Sequence, residues 1–291
     1  MTISIPAIDL SQFHVQVPDD QGFFKKHNLD VKLLKVSPPT AIAALQSGEV
    51  QFTTVTGSAT RAAIQGLPVR VAAYTQIVSF SYVARSGINS LADLKGKKLG
   101  VTSQTGDDYR YTLAALKSVN LTVNDVQLLT IGSSEQVAEA LIGGILDGGA
   151  MAAPFPQELH EKGFNVLSGP DLLELPSGGF AATTKLLQSN RSLVDATLAA
   201  IVDGIQWTKT HPDEASSYFA QKYSLSPEVA KEAYAVQTQA VRFDYSQDKL
   251  QGIIQQGLQD AKSDKQLGVG DVYDTAAFAR YQELAKAAGL T

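Results

Sequence analysis

Short apolar segments alternate with stretches of helical periodicity through residues 1–184, and residues 185–291 have a helical pattern throughout. The apolar segments are of strand length and lie at 3–10, 51–55, 69–73, 79–85, 98–101, 149–153 and 179–183. Strands that alternate with helices build parallel sheets covered by helices. The pattern therefore predicts an α/β fold whose C-terminal helices complete its first part.

The C-terminal region shows one long helix and several shorter ones. An apolar stripe on the long helix consists of Leu193, Leu198, Ile201, Val202 and Ile205. Pro212 interrupts the helical pattern, Ser226-Pro227 opens a further helix, and another begins near Gln247.

The chain contains an internal repeat. The pentapeptide at 30–34 recurs at 125–129, and that at 44–48 recurs at 140–144, with offsets of 95 and 96 residues. Each copy reads as a strand, a helix opened by serine, a helix-ending glycine and a second strand. Chance similarity between two ordinary β-α-β units is the alternative. The repeat predicts two related α/β lobes.

Composition excludes several classes of protein. With 24 basic and 29 acidic residues, the net charge of −5 provides no large cationic field for nucleic acid. The absence of cysteine excludes disulfides and thiolate chemistry. The four histidines show no metal-ligand spacing, and the common nucleophile, phosphate-loop and dinucleotide motifs are absent. We therefore expect no catalytic residue, no metal and no cofactor.

Four stretches, at 22–31, 44–48, 66–70 and 90–101, together carry a family resemblance. They resemble periplasmic substrate-binding proteins of type II fold, in the branch that serves nitrate, sulfonate, taurine and thiamine-precursor importers. Each stretch also has a structural meaning: Phe23 and Phe24 suit a core, Gly48 and Gly66 suit left-handed helix ends, and Ser90 stands at capping-box spacing from Asp93.

The resemblance implies a two-lobed molecule in which each lobe is a mostly parallel sheet flanked by helices. Lobe I would comprise 1–80 and 185–291, lobe II 81–184, and two crossover segments would form a hinge. A small ligand touching both lobes would favour the closed form. An ABC permease with its ATPase would read that form, so we expect a monomer that contacts a membrane complex only peripherally.

In lobe I, polar residues follow two predicted strands at the edge where open α/β sheets bind ligands. Candidate ligand contacts after the first strand are Ser11, Gln12, Phe13 and His14. Thr56, Gly57 and Ser58 follow the strand at 51–55 and open a helix whose free amides suit a carboxylate or sulfonate. Purely structural capping is the alternative for these hydroxyls, and a surface position is the alternative for His14. Arg61 is equally compatible with an anion contact and with the solvent side of its helix.

In lobe II, the resemblance places ligand contacts in the loop after 98–101. The candidates there are Ser103, Gln104, Thr105, Gly106 and Asp107. An ordinary role for Asp107 and Asp108 is to complement the helix dipole.

A second set of candidates comes from the end of the repeated unit and from the crossover. Met151, Pro154 and Phe155 provide a thioether and a ring that suit a flat or apolar ligand surface, with core packing as the alternative. Tyr74 and Gln76 lie near the predicted crossover. The expected ligand is a small organic anion or a polar aromatic compound.

Two other functions share this architecture. A thiamine-pyrimidine synthase uses a cysteine-rich motif, which this chain lacks. The effector domain of a transcription regulator would require a preceding helix-turn-helix, and none stands before Ile3. The N-terminus also lacks a signal-peptide pattern, and we expect a periplasmic or lipid-anchored protein whose signal segment is missing from this sequence.

Overall fold

The structure is a computed structural model that describes residues 1–6, 8–102, 104 and 107–291. Its strands are β1 (Thr2–Ile5), β2 (Lys32–Lys35), β3 (Phe52–Thr53), β4 (Val69–Ala73), β5 (Gln76–Ile77), β6 (Phe80–Ala84), β7 (Lys98–Val101), β8 (Gln127–Thr130), β9 (Gly148–Ala152), β10 (Asn165–Ser168), β11 (Pro176–Ser177) and β12 (Phe180–Thr183).

The helices of the first half are α1 (Phe13–Asp20), α2 (Phe23–Lys26), α3 (Pro38–Ser47), α4 (Thr56–Gln65), α5 (Asp107–Ser118), α6 (Ser134–Ile142) and α7 (Phe155–Glu161). Those of the second half are α8 (Thr184–Ser189), α9 (Arg191–Thr210), α10 (Pro212–Tyr223), α11 (Pro227–Ala240), α12 (Gln247–Asp260), α13 (Val269–Val272) and α14 (Thr275–Ala287). Single 3-10 turns lie at Leu10–Gln12, Leu91–Leu94, Val123–Asp125 and Pro170–Leu172.

The chain divides into two compact units. Unit 1 contains Met1–Gln76, Pro176–His211 and Val241–Thr291, and unit 2 contains Ile77–Leu175 and Pro212–Ala240. The sequence predicted lobe boundaries at 80/81 and 184/185, with all of 185–291 in lobe I. The structure therefore differs by a few residues at the two crossovers, and it assigns α10 and α11 to unit 2.

Packing explains why α10 and α11 belong to unit 2. The two helices pair with each other, and α11 packs on α7 and on the 3-10 turn Pro170–Leu172. Its buried face carries Val229, Ala230 and Ala233. Gln239 also donates to Asp171 at 2.6 Å. An amphipathic pattern shows that a helix buries one face, but it does not show which unit covers that face.

The sheet of unit 1 has the strand order β2-β1-β3-β12-β4. Strand β1 is parallel to β2 and β3, with Thr2 opposite Lys32 and Ile3 opposite Phe52. Strand β12 is antiparallel to both β3 and β4. The segments at 69–73 and 179–183 are thus neighbouring strands of this sheet.

The sheet of unit 2 repeats this topology. Read from its other edge, the order is β8-β7-β9-β6-β10, with β7 parallel to β8 and β9 and with β6 antiparallel to β9 and β10. Lys98 stands opposite Gln127, as Thr2 does opposite Lys32. The repeat found in the sequence therefore corresponds to equivalent strand-helix-strand units in two sheets of one design, which confirms the predicted α/β class.

Each unit has its own apolar core. In unit 1, helices α4, α12 and α14 cover the sheet, and the ring of Tyr74 lies 5.2 Å from that of Tyr245 and 5.9 Å from those of Tyr273 and Phe278. In unit 2, Tyr82, Leu99 and Tyr111 form one cluster, and a second cluster contains Met151. A separate core in each unit is what allows it to fold as a compact body.

Several local signals in the sequence are confirmed. Gly48 and Gly66 end α3 and α4 at φ of 81° and 101°. Ser90 and Asp93 form a capping box. The side chain of Ser133 caps α6. No helix within the described ranges is long and apolar enough to cross a membrane.

Candidate ligand-binding site

The segment after β1 in unit 1 is helical, since the 3-10 turn Leu10–Gln12 leads directly into α1. Asp9 is the N-cap of the 3-10 turn Leu10–Gln12, and its Oδ1 accepts hydrogen bonds from the amide and the hydroxyl of Ser11. Burial raises the pKa of the Asp9 carboxyl, and the hydrogen bonds from Ser11 oppose that change. Asp9 thus fixes the position of Ser11, the first candidate contact.

Hydrogen bonds join the segments that follow β1 and β3. The hydroxyl of Thr54 donates to Oε1 of Gln12 at 2.6 Å, and Nε2 of Gln12 donates to Oγ of Ser11 at 3.1 Å. Both strands end at the same edge of the sheet because they are parallel. The structure therefore brings the segment that contains Gln12 next to the segment that follows β3.

Gln76, the first residue of β5, reaches the same cluster. Its Nε2 donates to the carbonyl of Ser11 at 3.1 Å. Within the described part of the chain, Oε1 of Gln76 and Oγ1 of Thr75 are buried and have no hydrogen-bond partner. Unsatisfied buried polar atoms cost free energy unless a ligand or water pairs with them. This edge of unit 1 therefore retains polar capacity for a bound molecule.

Two candidate contacts, His14 and Thr56, hold a tight glycine turn before β12. The hydroxyl of Thr56 donates to the carbonyl of Gly178 at 3.1 Å, and the amide of Gly179 donates to Nε2 of His14 at 3.2 Å. Gly179 has φ of 109°, and a Cβ there would lie 2.1 Å from the carbonyl oxygen of Ala73. Only glycine fits this close approach.

His14 lies in the interior of unit 1 and not in a loop. Its side chain is fully buried on α1, edge-on to the rings of Phe13 and Phe180 at 6.1 and 5.9 Å. Burial lowers the pKa of His14 from 6.5 to about 4. The imidazole is therefore neutral near pH 7, which its acceptance of the Gly179 amide also requires.

The start of α4 is partly open to solvent at this edge. The N-cap, Val55, supplies no side-chain cap, and the amide of Thr56 donates to the carbonyl of Thr54 at 2.9 Å, so the amides of Gly57 and Ser58 are the ones left for an outside acceptor. Nη2 of Arg61 donates to the hydroxyl of Ser58 at 3.1 Å. Its Nη1 lies 3.8 Å from the position that a Cβ on Gly57 would take. The guanidinium thus folds back over the first turn and adds positive charge to a helix N-terminus.

Two aromatic candidates in unit 1 are core residues. Phe13 is 1% exposed and Tyr74 is 2% exposed. The hydroxyl of Tyr74 lies 2.8 Å from that of Thr60, which in turn donates to the carbonyl of Thr56. Through Thr60, Tyr74 therefore helps to hold the first turn of α4 in place.

In unit 2, part of the predicted binding loop after β7 lies outside the described residues, namely Ser103, Thr105 and Gly106. Gln104 is exposed, and Asp107 is half-buried at the start of α5. Asp108 is 2% exposed, and its carboxylate accepts hydrogen bonds from both the amide and the hydroxyl of Thr102. Asp108 thus fastens the two ends of the loop to each other.

The candidates after β9 divide between core and surface. Met151 is fully buried among Val83, Val137 and Leu159, so it packs in the core of unit 2. Pro154 follows a cis peptide bond and caps α7. Phe155, the first residue of α7, is half-buried against the same core.

Sequence reasoning missed Asp9 and Thr54, which position candidate residues, and it left Arg61 undecided. It gave Asp108 a role at the helix dipole, whereas the carboxylate of Asp108 holds Thr102. The spacing of Ser58 and Arg61, three residues apart on one helix, is the signal that could have placed the arginine over the first turn. Within the described ranges, the structure has no cluster of three or more acidic or histidine residues that could hold a metal ion.

A comparison with models of protein families relates this chain to one family. The model of proteins described as NMT1/THI5 like matches residues 14–215, which include all of the candidate site except Ser11, Gln12 and Phe13. The chain belongs to the NMT1/THI5-like family. This family membership confirms the resemblance drawn from the four sequence stretches.

Curated relatives of this NMT1/THI5-like chain are distant. It is 28% identical over 220 residues to the riboflavin-binding protein RibY of Chloroflexus aurantiacus, and the match covers 72% of this chain and 62% of RibY. It is also 28% identical over 214 residues to a putative thiamine biosynthesis protein of Haemophilus influenzae, with 70% of this chain and 67% of that protein covered. The match thus spans less than two thirds of the length of RibY.

Solved structures share the fold at low identity. The periplasmic aliphatic sulphonate binding protein SsuA of Escherichia coli superposes with a TM-score of 0.77 at 15% identity, covering 96% of this chain and 98% of SsuA. The desulfurization enzyme DSZB gives a TM-score of 0.65 at 18% identity, covering 97% and 98% of the two chains. The fold is therefore that of the periplasmic binding proteins, as predicted.

Proposed function

We propose that this chain is the solute-binding component of an ABC importer and that it captures a small organic anion or a polar aromatic compound. The family and the fold support a binding protein of this kind. The names of the relatives support the two ligand classes, since SsuA is named for aliphatic sulphonates and RibY for riboflavin. The ligand would be delivered to a membrane permease with its ATPase.

The observation that carries the anion class is the start of α4. Uncapped amides, the hydroxyl of Ser58 and the guanidinium of Arg61 converge there on one half-buried turn. A sulfonate or carboxylate is matched by such a set because helix N-termini and arginine both favour oxyanions. The unpartnered Oε1 of Gln76 and Oγ1 of Thr75 add groups for the remainder of the ligand.

We place the protein among binding components and not among enzymes. His14 is a buried neutral residue bonded to a backbone amide, and Asp108 is occupied by Thr102. The absence of cysteine removes the thiol nucleophile. The remaining candidate groups donate or accept hydrogen bonds, which is chemistry suited to binding.

A monomer outside the cytoplasmic membrane, free in the periplasm or lipid-anchored, would serve this function. Genes for a permease and an ATPase beside the gene for this chain would support it. A thiamine-related enzyme or a regulator's effector domain would instead stand without such neighbours.

The test is a thermal-shift and calorimetry screen of the purified protein against ethanesulfonate, nitrate, benzoate, riboflavin and a pyrimidine. A ligand at 100 times its dissociation constant stabilises the folded state by about 2.7 kcal/mol. Arg61→Gln should weaken an anionic ligand by about tenfold or more, because a charge-assisted hydrogen bond is lost. Arg61→Lys should retain part of the affinity.

The uncharged compounds of the screen, riboflavin and the pyrimidine, separate the two ligand classes. Binding of riboflavin or the pyrimidine that is unaffected by Arg61→Gln would select the aromatic class. An absence of binding across the whole panel would contradict both classes and leave only the fold.

A further inference from the structure

Unit 1 contains a groove at the other end of β4 and β12 from the candidate ligand site. Its cavity volume is about 580 Å³. Arg70, the second residue of β4, and Thr184, which follows β12, line it together with Arg191 and Asp274. The candidate site lies past the opposite ends of these strands, at Gln76 and Gly178. The groove is thus a separate feature, and its volume is that of small-molecule sites.

Arg70 is held in place by backbone carbonyls. Its Nε donates to the carbonyl of Gly270 at 3.1 Å, and its Nη1 donates to its neighbour Val69 at 2.8 Å. Within the described residues, Nη2 of Arg70 has no hydrogen bond to protein. A guanidinium that is fixed on one side and open on the other is preorganised to receive an oxyanion.

Arg191 is fixed in a similar way. Its Nη1 donates to both carboxylate oxygens of Asp274 at 3.1 Å, and the same carboxylate accepts the amide of Ala277 at 2.8 Å. Nε of Arg191 also lies 3.7 Å from Oδ1 of Asp195, so this guanidinium faces two carboxylates. Among the side chains that line the groove, two are basic, Arg70 and Arg191, and one is acidic, Asp274.

The remaining donors of the groove come from α14 and α8. Helix α14 has 13 residues, and its first turn, with Thr275 and Ala276, lines the groove. The leading amides of a helix have no partner inside it. Oγ1 of Thr184 is buried, and no hydrogen bond is found for it within the described part of the chain. These groups belong to two different elements, α14 and α8.

We propose that this groove is a second ligand site, which binds a tetrahedral oxyanion of the phosphate class. A flat carboxylate is satisfied by one guanidinium, whereas a phosphate offers oxygens in several directions. Two arginines, a helix N-terminus and a hydroxyl supply donors in several directions. The cavity exceeds the volume of one phosphate, so the organic part of a phosphate monoester has room beside it.

The test uses the purified full chain with inorganic phosphate and, in a parallel arm, glycerol 3-phosphate. Binding is followed by phosphorus NMR and by calorimetry at a constant ionic strength of about 0.15 M, which screens nonspecific attraction. Saturable binding with a dissociation constant below about 10 mM is expected for at least one of the two. Tighter binding of the monoester assigns an organic phosphate, and equal or tighter binding of inorganic phosphate assigns the free ion.

Variants separate this site from general surface charge. Arg70→Gln should weaken phosphate about tenfold or more, and Arg191→Lys should weaken it less because the charge remains. Arg280→Gln is the matched control, since Arg280 lies on α14 and pairs with Glu283 on the exposed helix surface. Circular dichroism at pH 7 confirms that each variant is folded.

The proposal fails if neither phosphate compound binds below about 10 mM, or if Arg70→Gln and Arg280→Gln have the same effect. The groove is separate from the site proposed for the import ligand. Arg61→Gln should therefore leave phosphate binding unchanged. Loss of phosphate binding in Arg61→Gln alone would move the site to α4 and overturn the assignment to the groove.

Discussion

Replacement of His14 tests how strongly a buried neutral imidazole ties the stability of unit 1 to pH. The folded protein lowers the pKa of His14 from 6.5 to about 4. Between those values the unfolded chain binds a proton at this residue and the folded chain does not. Unfolding therefore becomes more favourable as pH falls through this window, and stability is recovered as pH rises above 6.5.

The size of the effect follows from the same two values. One pKa unit corresponds to about 1.4 kcal/mol. The whole window therefore costs the folded state about 3 kcal/mol, of which about 2 kcal/mol falls between pH 7 and pH 5. His14→Gln removes the titration and keeps an acceptor for the Gly179 amide. The variant should lose about 2 kcal/mol less than the parent protein over that interval.

Urea denaturation at pH 7 and pH 5, followed by circular dichroism, measures this difference. His211→Gln is the control because His211 is exposed. Equal losses of stability in the parent protein and in His14→Gln would refute the reasoning, since the other titrating groups would then carry the whole pH dependence.

Two further substitutions probe the turn before β12 and the loop of unit 2. Gly179→Ala should destabilise the protein by about 3 kcal/mol or more in urea denaturation, because its Cβ would overlap the carbonyl of Ala73. The control Gly163→Ala, with open space around it, should cost about 1 kcal/mol. Similar costs for the two variants would show that the turn before β12 shifts freely. Asp108→Ala should cost about 1 to 3 kcal/mol by leaving the amide and hydroxyl of Thr102 unpaired, and a loss within 0.5 kcal/mol, roughly the effect of a surface change, would contradict the buried clamp.

The repeat, the strands and the helix ends could be predicted because each depends on local pattern. The glycines at 48 and 144 both adopt left-handed φ, of 81° and 73°, as their matched positions imply. The helices beginning at Pro227 and Gln247 also start where the sequence places them. Short-range preferences and periodicity carry this information without reference to the rest of the chain.

The assignment of side chains to core or site could not be obtained in this way. Phe13 and His14 follow β1 and Met151 lies near the end of β9, yet all three are buried by packing from distant elements. The return of β12 beside β4 creates the Gly178 turn that occupies Thr56 and His14. Such pairings join residues more than 100 positions apart, and a single sequence does not reveal them. The order of the strands in each sheet, and the unit to which α10 and α11 belong, could not be predicted for the same reason.

The position of β12 between β3 and β4 has a consequence for the growing chain. During synthesis, residues 1–76 emerge with both strands present, but the strand that joins them arrives only at residues 180–183. Until then the exposed edges of β3 and β4 have no partner within their own sheet. The sheet of unit 1 therefore remains incomplete while most of unit 2 is synthesised. Unit 1 completes its folding late even though its first residues are synthesised first.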